Sequence, residues 1–176
     1  MTKTDLARQV YDTCYIRGCF QLRSGSFSND YFDKYLFESE PLLLKQIVES
    51  MSKYIPEETQ ILGGLEMGGI PIVTLLSQVT GIPSVFVRKE AKSYGTCKFA
   101  EGRSVKGMNT AIIEDVVTSG GQIILSAAAL REEGAIIDTV LCVIDRESGG
   151  KEKLQKEGLR IIPLFTRSEL DSMADL

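Results

Sequence analysis

Two adjacent carboxylates, Glu114 and Asp115, close the apolar run Thr110-Ala111-Ile112-Ile113, and Val116-Val117-Thr118-Ser119-Gly120-Gly121 follows them. These residue types allow a specific chemistry. Free backbone N–H groups at the start of a helix, flanked by the hydroxyls of Thr118 and Ser119, seat a phosphate. The carboxylates cannot share that anion, because like charges repel; they suit hydroxyl groups. A molecule carrying both, such as a ribose 5-phosphate, satisfies the whole stretch. Without further context the same residues also fit an ordinary β–α turn with an acidic strand end. The stretch is not a Walker loop, which needs a lysine after its last glycine, nor a Gly-x-Gly-x-x-Gly turn.

A second concentration of chemistry lies just upstream. Residues 88–106 carry Arg88, Lys89, Lys92, Lys98, Arg103 and Lys106 against Glu90 and Glu101, a basic segment on a chain of net charge −4. That distribution points to a confined polyanionic ligand, while the acidic balance of the whole argues against a nucleic-acid partner. The chain has no histidine. Acid–base work therefore falls to Lys, Tyr, Asp or Glu, or to the substrate itself. Cys14, Cys19, Cys97 and Cys142 show no Cys-x-x-Cys spacing. Neither a protein-held metal site nor a disulfide is expected from them.

The elements that must position these residues follow from periodicity. A chain of 176 residues, 43% hydrophobic, supports one α/β domain spanning 1–176 with a sizeable core. No apolar run approaches the ~20 residues of a membrane span. Met1-Thr2-Lys3-Thr4-Asp5 has no signal-peptide character. A soluble, cytoplasmic protein with no membrane partner is expected.

The apolar spacing predicts helices over residues 4–17, 41–53, 70–80 and 122–133, with Gly134 closing the last. Short apolar strands are expected at 60–62, 84–88, 111–113, 137–144 and 159–163. Their alternation with helices implies a mainly parallel, twisted sheet covered by helices on both faces. Residues 19–26 and 31–35 read as short extended pieces that, with the first helix, form a small N-terminal cap over about 1–40. Between about 89 and 108 the rhythm fails, which predicts a long flexible lid loop.

These blocks carry a resemblance. Ile112 through Gly121 resembles the phosphoribosyl-pyrophosphate (PRPP) binding signature of the type I phosphoribosyltransferases. The other blocks are Phe20-Gln21-Leu22-Arg23-Ser24-Gly25, Tyr31-Phe32-Asp33, Gly68-Gly69-Ile70-Pro71, Val87-Arg88-Lys89-Glu90-Ala91-Lys92 with Tyr94-Gly95, and Asp145-Arg146. In that order and spacing, from about Gly18 to Gly150, they resemble the orotate phosphoribosyltransferases.

The resemblance implies the type I phosphoribosyltransferase fold. The implied reaction transfers the phosphoribosyl group of PRPP to orotate, giving orotidine 5′-monophosphate and pyrophosphate for pyrimidine synthesis. It further implies Mg²⁺ held mainly by substrate and water, and a homodimer whose lid closes over the partner's site. PRPP binding would involve Arg88, Lys89, Lys92, Tyr94, Gly68 and Gly69, with Glu114 and Asp115 on the ribose hydroxyls. Val116, Val117, Thr118, Ser119, Gly120 and Gly121 would surround the 5′-phosphate. Lys92, Asp115 and Glu114 are the implied catalytic residues, and Arg23, Phe32, Thr118 and Arg146 the orotate contacts.

The chain departs from the family pattern at three places. Arg23 stands where many relatives have lysine, Tyr94 where some have histidine, and Met67-Gly68 where many have Tyr-Lys. The lid is therefore expected to carry more of the pyrophosphate. A phosphoribosyltransferase for another base, or a non-enzymatic PRPP sensor, remains an alternative at this point.

Overall fold

A computed structural model describes residues 2–21, 25, 27–90 and 99–175. Helix α1 (Lys3–Cys14) starts at a capping box in which Thr2 and Asp5 satisfy each other's backbone N–H groups. It feeds directly into an antiparallel hairpin of β1 (Tyr15–Gln21) and β2 (Phe27–Phe32). The expected helix to residue 17 stops three residues early. Tyr15, Ile16 and Arg17 pair instead with Phe32, Tyr31 and Asp30, and aromatic and β-branched residues suit that pleated surface.

The extended piece expected at 31–35 is also corrected. Asp33 is an N-cap whose side chain accepts the Tyr35 N–H, and it opens α2 (Lys34–Ser39). Helix α3 (Pro41–Met51) follows with proline in its first turn.

The rest is a β–α alternation. β3 (Ile61–Leu65), α4 (Gly69–Thr80) and β4 (Ser84–Val87) lead to β5 (Ala100–Gly102) and β6 (Asn109–Val117). α5 (Gly121–Glu132), β7 (Ile136–Asp145), α6 (Gly150–Lys156), β8 (Arg160–Thr166) and α7 (Arg167–Asp171) complete it. The sheet order is β5-β4-β3-β6-β7-β8, parallel except for the β5 edge. Winding runs outward from β3 in one direction and from β6 in the other. The strands at Ile61 and Ile112 are therefore neighbours at the reversal, and a crevice opens outside their carboxyl ends.

One face of the sheet is covered by α1, α3, α4 and α7, with Leu6, Val10, Ile47, Leu76 and Phe165 in a shared core. Phe37 anchors α2 in that same core. The other face is covered by α5 and α6 through Ile123, Ala127, Leu130 and Leu154.

Two expectations were too coarse. The stretch from 89 to 108 is not irregular throughout, since Ala100–Gly102 pairs with β4 and Val105 is buried. β6 runs past Ile113 to Val117, so the two carboxylates lie within a strand rather than at its corner. Helices α6 and α7 were not anticipated. Each is short, and neither carries enough apolar positions to show a helical period.

Candidate active site

The centre of the site is Asp115, which is 1% exposed. One carboxylate oxygen accepts the Val116 N–H, and the other is ion-paired with the Lys34 ammonium from α2. Its neighbour Glu114 accepts the Asp115 N–H through Oε1 at 2.9 Å. Burial pushes Asp115 toward the neutral form. Hydrogen bonds from Glu114 and Lys34, together with the Lys34 charge, outweigh burial and hold its carboxyl below the usual range. Glu114 moves the other way. Burial first, then the adjacent Asp115, raises it well above an ordinary glutamate.

A third carboxyl joins them from α2. Glu38 is pushed up to about 8 by burial and by Asp115. Its Oε1 is buried with no hydrogen-bond partner among the described residues. The two α2 side chains are a finding; neither was anticipated from sequence. The legible signal was Asp33, an N-cap residue, with Lys34 and Glu38 one turn apart behind it.

The loop after β3 closes the floor. A side chain at Gly68 would place its Cβ 1.6 Å from Asp115 Oδ2 and 2.8 Å from Glu38 Oε1. A Cβ at Gly69 would stand 2.5 Å from the Ile113 carbonyl oxygen. The glycines expected to make room for pyrophosphate are therefore required first by the protein's own carboxylates and backbone.

The start of the lid is tied to this loop. Glu66 donates its N–H to the Val87 carbonyl at 2.9 Å, and its side chain accepts the Lys89 N–H. Lys89 is exposed, whereas Arg88 turns toward Glu101 of β5, with Nε 3.5 Å from Oε1. Lys92, Tyr94 and Arg23 lie outside the described residues.

Beyond the carboxylates the chain turns through Thr118 and Ser119, both exposed, to Gly120 at φ +72°. The N-cap residue Gly120 supplies no side-chain acceptor to α5, which leaves its first N–H groups without an N-cap partner. The Gly149-Gly150 pair supports this turn from below. A Cβ at Gly150 would stand 2.6 Å from the Thr118 carbonyl oxygen, so α6 packs directly beneath the loop.

On the other side of β6, Phe32 and Arg146 line one cavity of about 170 Å³ together with Val116, Tyr11, Tyr15 and Arg167. That is the volume of a handful of waters at about 30 Å³ each, a space for one small ring. Arg146 is held there by its own backbone, which donates to the Val117 carbonyl at 2.9 Å. The next residue, Glu147, has φ +52° and its carboxylate accepts the Ser168 N–H at 2.8 Å. That contact pins the loop after β7 to α7. Val116 and Val117 thus stand between the cavity and the phosphate-type turn, and one strand carries both.

The phosphoribosyl transferase domain family model matches residues 40–169. An orotate phosphoribosyltransferase of a Nocardioides species is 47% identical over 95% of this chain and 93% of its own length. One from Methanocella arvoryzae is 41% identical over 95% and 96%. A crystal structure of the Mycobacterium tuberculosis orotate phosphoribosyltransferase in complex with PRPP superposes with a TM-score of 0.82 at 25% identity, covering 96% of this chain and 98% of that one. A crevice at the switch point, a carboxylate pair and an uncapped helix N-terminus agree with these matches: the chain belongs to the phosphoribosyltransferase family and, within it, to the orotate phosphoribosyltransferases.

Proposed function

We infer that this pentosyltransferase moves the 5-phosphoribosyl group of PRPP to N1 of orotate, releasing pyrophosphate and forming orotidine 5′-monophosphate in pyrimidine synthesis in the cytoplasm. The observation that carries the reading is the placement of a ring-sized cavity with an arginine, a carboxylate pair and a phosphate-type turn along the single strand β6. The 5′-phosphate is received by Thr118 to Gly121, and the ribose hydroxyls by Glu114 and Asp115. The planar base enters the cavity against Phe32, and its carboxylate meets the Arg146 and Arg23 forks, which match it in shape and charge.

As the C1–O bond of PRPP breaks, positive charge grows on the ribose and negative charge on pyrophosphate. The new bond forms from orotate N1. Its proton goes to an acceptor other than histidine, since the chain has none. Cations must meet the leaving group and water must be kept out, or the ribose would be hydrolysed. Lys89 and Lys92 supply that charge from the lid, and Arg88 joins them from its position beside Glu101.

Mg²⁺ suits the same oxygens. Asp115 is already paired with the Lys34 ammonium, which disfavours a second cation there, so substrate phosphates and water would be its main ligands. When bound, it neutralises the pyrophosphate charge. We further infer a homodimer in which the lid of one subunit covers the PRPP loop of the other.

The test is pyrophosphate release from PRPP with orotate, adenine or hypoxanthine as acceptor. Release with orotate alone is expected. Release with a purine instead would move the protein to another base, and release with none would leave a PRPP-binding regulator.

A further inference from the structure

Three carboxyls and one ammonium meet around Asp115, and two of the four side chains come from a helix with no part in the reaction described so far. Phe37, fully buried, fixes α2 against the core. Lys34 lies one turn before Glu38 on that helix, so both side chains project toward β6. Lys34 is ion-paired with Asp115 Oδ2. Glu38 Oε1 and Asp115 Oδ2 stand within 2.8 Å and 1.6 Å of the same point above Gly68. Among the described residues no donor reaches Glu38 Oε1.

We propose that Lys34 and Glu38 are positioning residues for phosphoribosyl transfer, which together hold the buried Asp115 carboxylate as the acceptor for the ribose hydroxyls of PRPP. The proposal rests on the reading that Asp115 meets the ribose.

The physical argument starts from burial. A carboxylate that is 1% exposed needs a cation or hydrogen-bond donors beside it to stay ionised, and Lys34, in contact with it, is both. An ionised Asp115 has about four acceptor positions on its two oxygens. The Val116 N–H and Lys34 take one position on each oxygen; Glu114 and a protonated Glu38 reach the others in the free protein, and the ribose hydroxyls would take those positions when PRPP binds. A neutral Asp115 would present a donor of its own and lose that preference.

Glu38 complements the arrangement. Two carboxyl oxygens so close together cannot both be ionised cheaply, so one proton is kept between them. Glu38, at about 8, is the group that keeps it. Protonated, it is a hydrogen-bond donor toward Asp115; ionised, it is a repelling charge.

The ionisable groups that act on Glu38 are Lys34 and Asp33 on its own segment, Asp115 on β6, whose neighbour is Glu114, and Cys14 at the end of α1. Of these only Lys34 is positive. The sign follows. Raising pH through about 8 removes the Glu38 proton and adds repulsion beside Asp115, so PRPP handling weakens on the alkaline side.

The experiment is the pH profile of kcat/KM for PRPP in wild type, Lys34→Met, Lys34→Arg and Glu38→Gln, with melting temperatures recorded for each. Lys34→Met should raise the PRPP KM about tenfold at neutral pH and move the acid limb up by one to three pH units, a typical effect of losing an adjacent opposite charge. Lys34→Arg should restore most of the loss. Glu38→Gln should flatten the alkaline limb near pH 8.

If Lys34→Met lowers the melting temperature but leaves the PRPP KM and both limbs in place, the two residues are structural only and the proposal is overturned. A lower PRPP KM in Lys34→Met would overturn it in the opposite direction, making Lys34 a plug over Asp115. Should Lys34→Met not fold, an unchanged alkaline limb in Glu38→Gln is sufficient to reject the proposal. A wild-type PRPP KM in Asp115→Asn would instead remove the underlying reading. A tenfold rise there, with unmoved limbs in the α2 variants, would overturn this proposal alone.

Discussion

At the scale of single residues, the reaction divides between groups that bind PRPP equally in ground and transition states and groups that act as charge develops. Lys92 is assigned to the second kind. Lys92→Ala should lower kcat by about two to three orders of magnitude, with a much smaller change in PRPP affinity, because its contact strengthens only in the transition state. Single-turnover kinetics separate the two, and a wild-type kcat would remove Lys92 from the chemistry. Asp115→Asn should raise the KM for PRPP about tenfold, equivalent to about 1.4 kcal/mol, with the orotate KM of the free enzyme nearly unchanged. Arg23→Ala should show the reverse preference, with orotate suffering more.

Glu38 adds a stability prediction. Its carboxyl is raised to about 8 in the folded state, so the native protein holds a proton that the unfolded chain releases near pH 4.5. Stability is therefore lost as pH rises through that window. Glu38→Gln should melt higher than wild type at pH 9, and the gap should close toward pH 5. A gap of constant size would mean that Glu38 is not the group holding the proton.

At the scale of elements, the site depends on how closely helices press on the ends of β3 and β6. α4 enters through Gly68 and Gly69, and α6 enters through Gly150. A Cβ at any of them would fall within 2.6 Å of a neighbouring oxygen. Gly150→Val therefore has to move either α6 or the turn at Thr118. It should lower the melting temperature and raise the PRPP KM several-fold, with a smaller effect on orotate, whose proposed cavity is lined mainly by residues of α1, β2 and α7. Calorimetry with steady-state kinetics checks this. A fall in stability with no change for PRPP would make α6 a part of the core and not a support of the phosphate turn.

At the scale of the whole molecule, the sheet reversal between β3 and β6 gathers segments far apart in sequence, and we place the completed site across two subunits. That placement has a numerical consequence. Subunits carrying Lys92→Ala and subunits carrying Asp115→Asn, mixed equally, unfolded and refolded together, give about half mixed dimers. Each mixed dimer has one doubly damaged site and one intact site. At PRPP well below the wild-type KM, Lys92→Ala retains almost no activity and Asp115→Asn about a tenth, yet the mixture should recover about a quarter of wild-type activity. If the lid closes over its own subunit, every site keeps one lesion and the mixture stays below about a tenth, with mass spectrometry confirming that subunits have exchanged.

The amino-acid sequence alone determined the features whose cause is local. An apolar run such as Ala111-Ile112-Ile113 can only be a buried strand or helix segment, and the Gly-Gly turn after it starts the next helix whatever surrounds it. The alternation of such runs carried the mainly parallel sheet with it. Tertiary structure decided what depends on neighbours. Residues 31–35 have no period of their own, and it is pairing with Tyr15–Arg17 and the Asp33 cap that makes them end a strand and begin α2. Arg88 reads as a free cation until β5 folds back and sets Glu101 beside it. The same holds at the centre of the site, where Lys34 and Asp115 meet across 81 positions of chain. A carboxylate next to an apolar run looks solvent-facing in sequence; only the sheet order and the helix laid over it determine that Asp115 is buried, and that its counter-charge comes from α2.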